Sequence, residues 1–559
     1  MAALPMVPQQ VAAAPSASIP TPDPAPTPDP APTPDPAPTP VPVPPVATTP
    51  PITKVTLTGK VTYDSVPNTN GPLDYAGMVA KPVRAASLDV VDDKGASLAR
   101  ATTGEDGTYT VVVPAGTMLK VRVEARLFRS GRAPSWDVTV RDNTRENALH
   151  TLDSKTFASG TVALKQDLHA DSGWDSKAVN PFEPGFLQPP VPPGAYTATR
   201  AAAPFAVMDT VYTAMQKVQS AAPATKFPAL KVFWSPNNRP AKGVKADGEI
   251  EISHFVQTLD GPALYILGKE DVDTDEFDSS VIVHEWGHYY QAVFSRDDSP
   301  GGLHAGVDRL DRRVAFSEGW GNGWSGIVLG RSNYADSSTP GQAQGVNLDL
   351  SQGPTDDPGW YREFTVQSIL WNLNAQVGFK PIHDALTSER FKTRAALTSI
   401  HSFVDAFNAV APASMPALAA LLRPQGISDA SDNPFGLLET NAGTPPVANA
   451  LPMHIEAQVG VAKATCVSNE AGTRNKLGNF SYFHFTAPQS RNYPLVLLPS
   501  TEGTSMDISV FRGGALPQFT MGAPGESSIP NVALTAGADY IAAVRDLNGT
   551  PACFSLTIQ

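Results

Sequence analysis

The stretch "VIVHEWGHYYQ", residues 281–291, decides how this chain is read. Its histidines, His284 and His288, are four apart, so on an α-helix they lie one turn apart on one face. Two imidazoles so placed can both direct a ring nitrogen at one ion about 2.0–2.1 Å away. Glu285 stands beside the first imidazole and can reach a water on that ion without ligating it. Apolar residues flank the motif, and the strand-like "ALYILG" (263–268) precedes it, so the pattern predicts a buried helix following a strand.

A catalytic zinc ion usually takes three protein ligands and leaves a fourth position for water, so a third ligand is expected downstream. A histidine at fixed spacing is excluded, because Gln291 stands where the required glycine belongs and Phe294 where the histidine belongs. The motif resembles that of the gluzincin class, which implies a glutamate from a second helix some tens of residues downstream; between 289 and 340 the sole glutamate is Glu318, within "AFSEGWGNGWSG" (315–326). "RLDRRVAFSEGWGNGWSGIVLG" (309–330) reads as a helix, with Leu310, Val314, Ser317, Gly321 and Val328 near one face. Each interior glycine costs up to about 1 kcal/mol, so several together imply a close helix–helix approach that carries Glu318 to the ion. Trp320 and Trp324 then exclude water around the site. Other readings stay open: Glu318 as a buried partner of Arg312 or Arg313, and Asp308, Asp311 or His304 as the third ligand.

His-Glu-x-x-His is the zinc metallopeptidase signature, and with Glu318 downstream the region resembles the gluzincin class. That resemblance implies a zincin-like α+β domain with Zn2+ held by His284, His288 and Glu318 and Glu285 as general base in peptide-bond hydrolysis. It also implies a carboxylate four residues after the ligand glutamate, orienting a ligand histidine. Here that position is Asn322, a departure: the amide can still accept the imidazole N–H but carries no charge. The reaction also calls for a second donor to the developing oxyanion. Tyr361 in "DPGWYREFTVQSILWNL" (357–373) is the choice, with Arg362, His383 and His304 as alternatives.

Outward from this centre, "PFAVMDTVYTAMQKV" (204–218) spaces Phe205, Met208, Tyr212, Met215 and Val218 as a helix. "EDVDTDEFD" (270–278) gathers acids before the histidine helix. An EF-hand loop needs a glycine where Glu276 stands, so the acids read as a helix N-terminus with Asp275 as N-cap, Asp278 reaching back, and a solvated face. Residues 52–154 alternate in period 2, as in "KVTLTGKVTYD" (54–64) and "LKVRVEARLF" (119–128). With the turn in "ARATTGEDGTYTVVVPAG" (99–116) they resemble the carboxypeptidase regulatory-like β-sandwich. Residues 452–559 return to strands, and "YFHFTAP" (482–488) and "LTAGADYIAAVRD" (534–546) resemble the pre-peptidase C-terminal domain, a β-sandwich accessory of secreted bacterial proteases.

The predicted architecture is therefore multidomain: a stalk over 1–51, a β-sandwich over 52–154, a central α+β domain over 155–445 and a second β-sandwich over 452–559. At 559 residues the chain is long enough for all of these. The stalk rests on three copies of "TPDPAP" (21–38), whose composition favours extended polyproline II at about 3.1 Å per residue. It resembles the spacers after the signal or lipid-attachment region of bacterial exported proteins. The export signal itself is not visible, since no Lys or Arg precedes Lys54. A secreted, surface-tethered or periplasmic location is expected, with the two cysteines, Cys466 and Cys553, paired in a disulfide. The net charge of −13 argues against nucleic acid and anionic membrane, and no run of about 18 apolar residues occurs. A monomer acting on protein or peptide is the leading expectation. An inactive, zinc-stabilised adhesion protein and a zinc hydrolase of non-peptide amides are the alternatives.

Overall fold

The computed structural model describes residues 53–181, 193–439, 451–468, 475–513, 515–521 and 528–559. The proline-rich segment expected over 1–51 lies outside these residues. Strands arranged in several sheets dominate, with helices concentrated between residues 203 and 425.

Alternating apolar residues bury one side of β1 (Lys54–Ser65), β4 (Thr108–Pro114) and β5 (Met118–Arg129). Between and after them come β2 (Ala86–Asp92), β3 (Ser97–Thr102) and β6 (Trp136–Asp142). Further on lie β7 (Leu230–Trp234), β8 (His254–Thr258) and β9 (Gly261–Ile266). The main sheet runs in the order β8-β9-β7-β6-β5-β2-β3. β7 pairs in parallel with β6, Leu230 opposite Val138, and with β9, Val232 opposite Leu264. The boundary anticipated at residue 154 thus runs through one sheet, and side chains from both sides of it share one core. Local composition carries no information on which distant strands pair, and the break at 154 rests on composition alone.

Helix α1 (Ala203–Ala221) buries Phe205, Met208, Met215 and Val218 against β5, β6 and the helix that follows. Helices α2 (Ser279–Phe294), α3 (Arg312–Leu329) and α4 (Glu363–Val377) lie side by side, α3 between the others. A hairpin of β10 (Asn333–Ser338) and β11 (Gln344–Asp349) contacts α2 and α3 through β10.

The acids before α2 depart from expectation. The N-cap is Asp278, not Asp275, and its side chain caps nothing. Its carboxylate accepts from Asn68 and, at 2.7 Å each, from the N–H and Oγ of Ser337. Asp275 is buried and accepts from Ser253, and Glu276 is buried against Arg200. The solvated face is absent because the β10 hairpin brings Asp336 over these acids. Desolvation, with the charge of Asp336 added, raises the Asp273 carboxyl to about 7, and desolvation raises that of Asp336 to about 6.

The C-terminal residues form two sheets over one core. One holds β13 (Ser481–Thr486), β15 (Met506–Arg512) and β16 (Asp539–Asp546); the other holds β12 (Lys463–Val467), β14 (Arg491–Pro499) and β17 (Ala552–Ile558). Phe483, Val510 and Val544 from the first meet Leu495, Phe554 and Leu556 from the second. Cys466 and Cys553 face each other across β12 and β17 and are joined as a disulfide. This unit docks on the start of α3, where Leu477 N donates to Arg309 O and Asp311 N to Asn475 O, both at 2.9 Å. The guanidiniums of Arg312 and Arg313 lie 4.4 and 4.6 Å from the rings of Tyr482 and Phe480. Among the described residues no single helix is long and apolar enough to cross a membrane.

Candidate metal centre

Helix α2 is apolar nearly all round: Val281, Ile282, Val283, Trp286, Tyr289 and Tyr290 are buried. One polar seam remains, in which His284, Glu285 and His288 are flanked by Ser280 and Gln291. Helix α3 lies against that seam, and its glycines set the distance. A Cβ on Gly321 would stand 2.7 Å from Cε1 of His284, and one on Gly287 would meet Trp324 at 3.1 Å and the Gly321 Cα at 3.3 Å. On the other side, a Cβ on Gly319 would collide with Val366 of α4 at 2.5 Å. Four glycines in this helix cost about 1 kcal/mol each in propensity. Burying Phe316, Trp320 and Trp324 completely offsets that, at roughly 2–3 kcal/mol per large side chain. Trp320 Nε1 donates to Gly287 O at 3.0 Å, fixing the two helices in register.

The approach brings three donor atoms together. Nε2 of His284 lies 3.2 Å from Oε2 of Glu318 and 3.2 Å from Nε2 of His288, and Nε2 of His288 lies 3.6 Å from Glu318 Oε2. A tetrahedron with metal–ligand bonds of about 2.0–2.1 Å has edges of roughly 3.3–3.4 Å, so this donor set fits one zinc ion. Two further groups of acids and histidine lie within metal-ligating distance of one another, Asp273–Asp275–Asp336 and Asp64–His169–Asp171.

The far ring nitrogens are held as well. Nδ1 of His284 is 2.9 Å from Oδ1 of Asn322, and Nδ1 of His288 is 3.2 Å from Oγ of Ser317, which donates to Asp297 at 2.9 Å. Such contacts fix the tautomer in which Nε2 faces the ion. Glu285 is part-buried, and Phe255 N on the edge strand β8 donates to its Oε2 at 2.8 Å. Burial pushes the Glu285 carboxyl up, and the charges of His284 and His288 pull partly against it. Burial would also raise Glu318, but His288, His284 and His304 outweigh it and hold that carboxyl well below its usual range. The His288 imidazolium is disfavoured by burial, yet Glu318 holds its proton up to about 10.

Among the alternative side chains, Asp308, Asp311, Arg312, Arg313 and His383 find partners away from the three donors, the exception being His304. Arg313 pairs with Asp311 at 2.9 Å, Arg312 with Met453 O and His454, and Asp308 with Lys476 at 2.9 Å. His383 hydrogen-bonds Tyr290 at 2.9 Å. Tyr361, expected as the second donor, has a carboxylate partner of its own. Its hydroxyl donates to Asp357 at 2.8 Å, and Asp357 is bound by Arg309, so it serves the support of the α3–α4 junction. His304 stands beside the three donors, its Nε2 3.4 Å from Glu318 Oε2 and 3.2 Å from Glu363 Oε2. Those two carboxylates overcome burial and hold its imidazolium up to about 9. Glu363, the first residue of α4, went unnoticed in the sequence; its only signal is its place two residues after Tyr361. Tyr334 of β10 also approaches, its ring 6.1 Å from that of His284.

No protein-family model matches the chain, and no curated protein matches it. Among solved structures, the pre-peptidase C-terminal domain of a collagenase from Bacillus anthracis aligns over 19% of this chain and 94% of its own, at 12% identity and a TM-score of 0.16. A periplasmic inhibitor of g-type lysozyme from Aeromonas hydrophila aligns over 19% and 96%, at 13% identity and a TM-score of 0.14. The Yersinia pseudotuberculosis-derived mitogen aligns over 18% and 83%, at 9% identity and a TM-score of 0.14.

Proposed function

We propose that this chain is a zinc-dependent endopeptidase of the gluzincin type, exported by a bacterium and acting on protein or peptide. The observation that carries the reading is the convergence of His284, His288 and Glu318 within 3.2–3.6 Å, with Glu285 beside them and outside the donor set. A site that only stabilised structure would gain nothing from a fourth residue, a non-ligating acid held in place by Phe255 N. The chemistry that a bound zinc ion supplies is Lewis acidity, polarising a carbonyl and acidifying water.

The residues do the rest. Glu285, desolvated and fixed at one oxygen by Phe255, accepts the proton of the attacking water on its other oxygen and returns it to the leaving amine. His304, charged between Glu318 and Glu363, donates to the oxygen on which charge develops. Asn322 and Ser317 hold the two ligand imidazoles in orientation. The edge strand β8, which among the described residues has no strand partner on the side where Phe255 N meets Glu285, offers its remaining backbone groups to an extended peptide. The disulfide suits an oxidising compartment.

Zinc content and cleavage of dye-labelled casein are compared for wild type, Glu285→Gln and Glu318→Ala. Glu285→Gln retains zinc and loses activity by roughly 10²–10⁴-fold, and Glu318→Ala loses zinc affinity. Zinc-replete wild type that cleaves no peptide would favour the adhesion reading, and unchanged zinc affinity in Glu318→Ala would remove Glu318 from the ligand set.

A further inference from the structure

His304 does not sit on a helix. It lies on the loop between α2 and α3, where residues 299–308 have no regular structure of their own to fix a side chain. Besides Glu363 and Arg362, which reach His304 and Gly306 O, the loop is restrained from the C-terminal unit, about 170 residues later in the chain, by contacts 172 to 174 positions apart. Nζ of Lys476, a residue only 5% exposed, donates to Leu303 O at 3.1 Å, on the N-terminal side of His304. On the C-terminal side, Ala305 N donates to Oδ2 of Asp308 at 2.8 Å, and Nζ of Lys476 pairs with that Oδ2 at 2.9 Å. One buried ammonium therefore ties both peptide groups that flank His304. Asn475 adds Nδ2 contacts to Gly301 O and Leu303 O at 3.2 Å each, and holds Lys476 through its Oδ1 at 3.1 Å. Asn479 fixes the clamp from behind, accepting from Lys476 N at 2.8 Å.

We infer that the C-terminal sheets are a working part of the metal centre, with Lys476 and Asn475 as positioning residues that hold His304 over it. A module that merely bound a surface would have no use for a desolvated lysine aimed into the loop of another unit. Burial of an ammonium is tolerated only with close acceptors, and here the acceptors are Leu303 O, Asp308 and Asn475. The loop's entropy is high when free, and misplacing a reacting group by about 1 Å can cost roughly 100-fold in rate. The inference rests on the role given to His304 above, but the restraint itself is measurable without activity.

The test uses the full chain with Lys476→Met, Lys476→Arg, Asp308→Asn and His304→Asn, and the double variant Lys476→Met with His304→Asn. Amide hydrogen exchange over 299–308 should accelerate in Lys476→Met and Asp308→Asn, and return towards wild type in Lys476→Arg. On dye-labelled casein, Lys476→Met should lower kcat about 10- to 100-fold with KM and zinc content nearly unchanged, and the double variant should be no slower than His304→Asn alone. Should Lys476→Met fail to fold, Asp308→Asn carries both readouts. Unchanged exchange in 299–308, or losses that multiply in the double variant, would overturn the inference. If wild type holds zinc but cleaves nothing, the endopeptidase reading fails, and the exchange arm still decides whether the clamp exists.

Discussion

Replacing Gly321 with alanine separates helix stability from metal binding at a single atom. In the interior of α3, alanine is favoured over glycine by about 1 kcal/mol. The new Cβ, however, would stand 2.7, 2.8 and 2.9 Å from Cε1, Nδ1 and Nε2 of His284, whereas ordinary contact begins at 3.4 Å. The ring must retreat by about 0.7 Å, the difference between 3.4 and 2.7 Å. Metal–ligand distances tolerate only about 0.2 Å, and the same retreat stretches the 2.9 Å contact between His284 Nδ1 and Asn322. Overpacking of a tight core costs roughly 1–3 kcal/mol. The metal-free protein should therefore change little in stability, losing at most about 2 kcal/mol after the helix gain. Zinc affinity should drop by at least 10- to 100-fold, the range seen when ligand orientation is lost. Competition against a chromophoric chelator reads the affinity, and urea unfolding in excess EDTA reads the stability. A variant that gains about 1 kcal/mol and binds zinc like wild type would refute the idea that the glycines exist to admit His284.

Zinc binding should depend on pH with a definite sign. His288 holds its proton up to about 10 in the metal-free protein, and a ligand must be deprotonated, so binding at pH 7 releases about one proton and affinity rises with pH. Calorimetry in buffers of different ionisation enthalpy measures this, and zero release would contradict the placement of His288 beside Glu318. The acid cluster acts on folding. Asp273 is raised to about 7 and Asp336 to about 6, so their favourable contribution is complete below the unfolded value near 4 and is lost as pH rises through 6 and 7. In EDTA, Asp273→Asn should match wild type at pH 4 and exceed it in urea midpoint at pH 8; equal midpoints at both pH values would show that Asp273 ionises freely. Replacing both Cys466 and Cys553 with serine opens a link 87 positions long and should lower stability by roughly 4 kcal/mol in the chain-entropy view, read as a reduced urea midpoint. No change would mean that the paired strands β12 and β17 suffice.

Local pattern carried the reading where chemistry depends on neighbours in sequence. The four-residue spacing of His284 and His288 sets both imidazoles on one face wherever α2 lies, and the crowded glycines of α3 announce a close approach without naming the partner. The period-2 runs near both ends read as strands, but pairing is another matter: nothing in "LKVFWS" (230–235) says that it joins β6 in parallel and erases the break at residue 154. The acids of 270–278 look solvated because a window of sequence has no knowledge of the β10 hairpin that covers them. Tyr361 and Glu363 are two residues apart, yet one faces Asp357 and the other His304.

The sequence alone settles what geometry within one helix or strand dictates: the paired imidazoles, Glu285 beside them, and the buried, glycine-lined character of α3. Tertiary structure decides which distant groups share that space: Glu318 and Asn322 against His284, His304 against Glu363, and Lys476 against the loop that bears His304. The physical reason is range. Periodicities of 3.6 and 2 residues are imposed by backbone sterics and repeat locally. A contact spanning more than 170 positions exists only once two separately formed surfaces have excluded water between them.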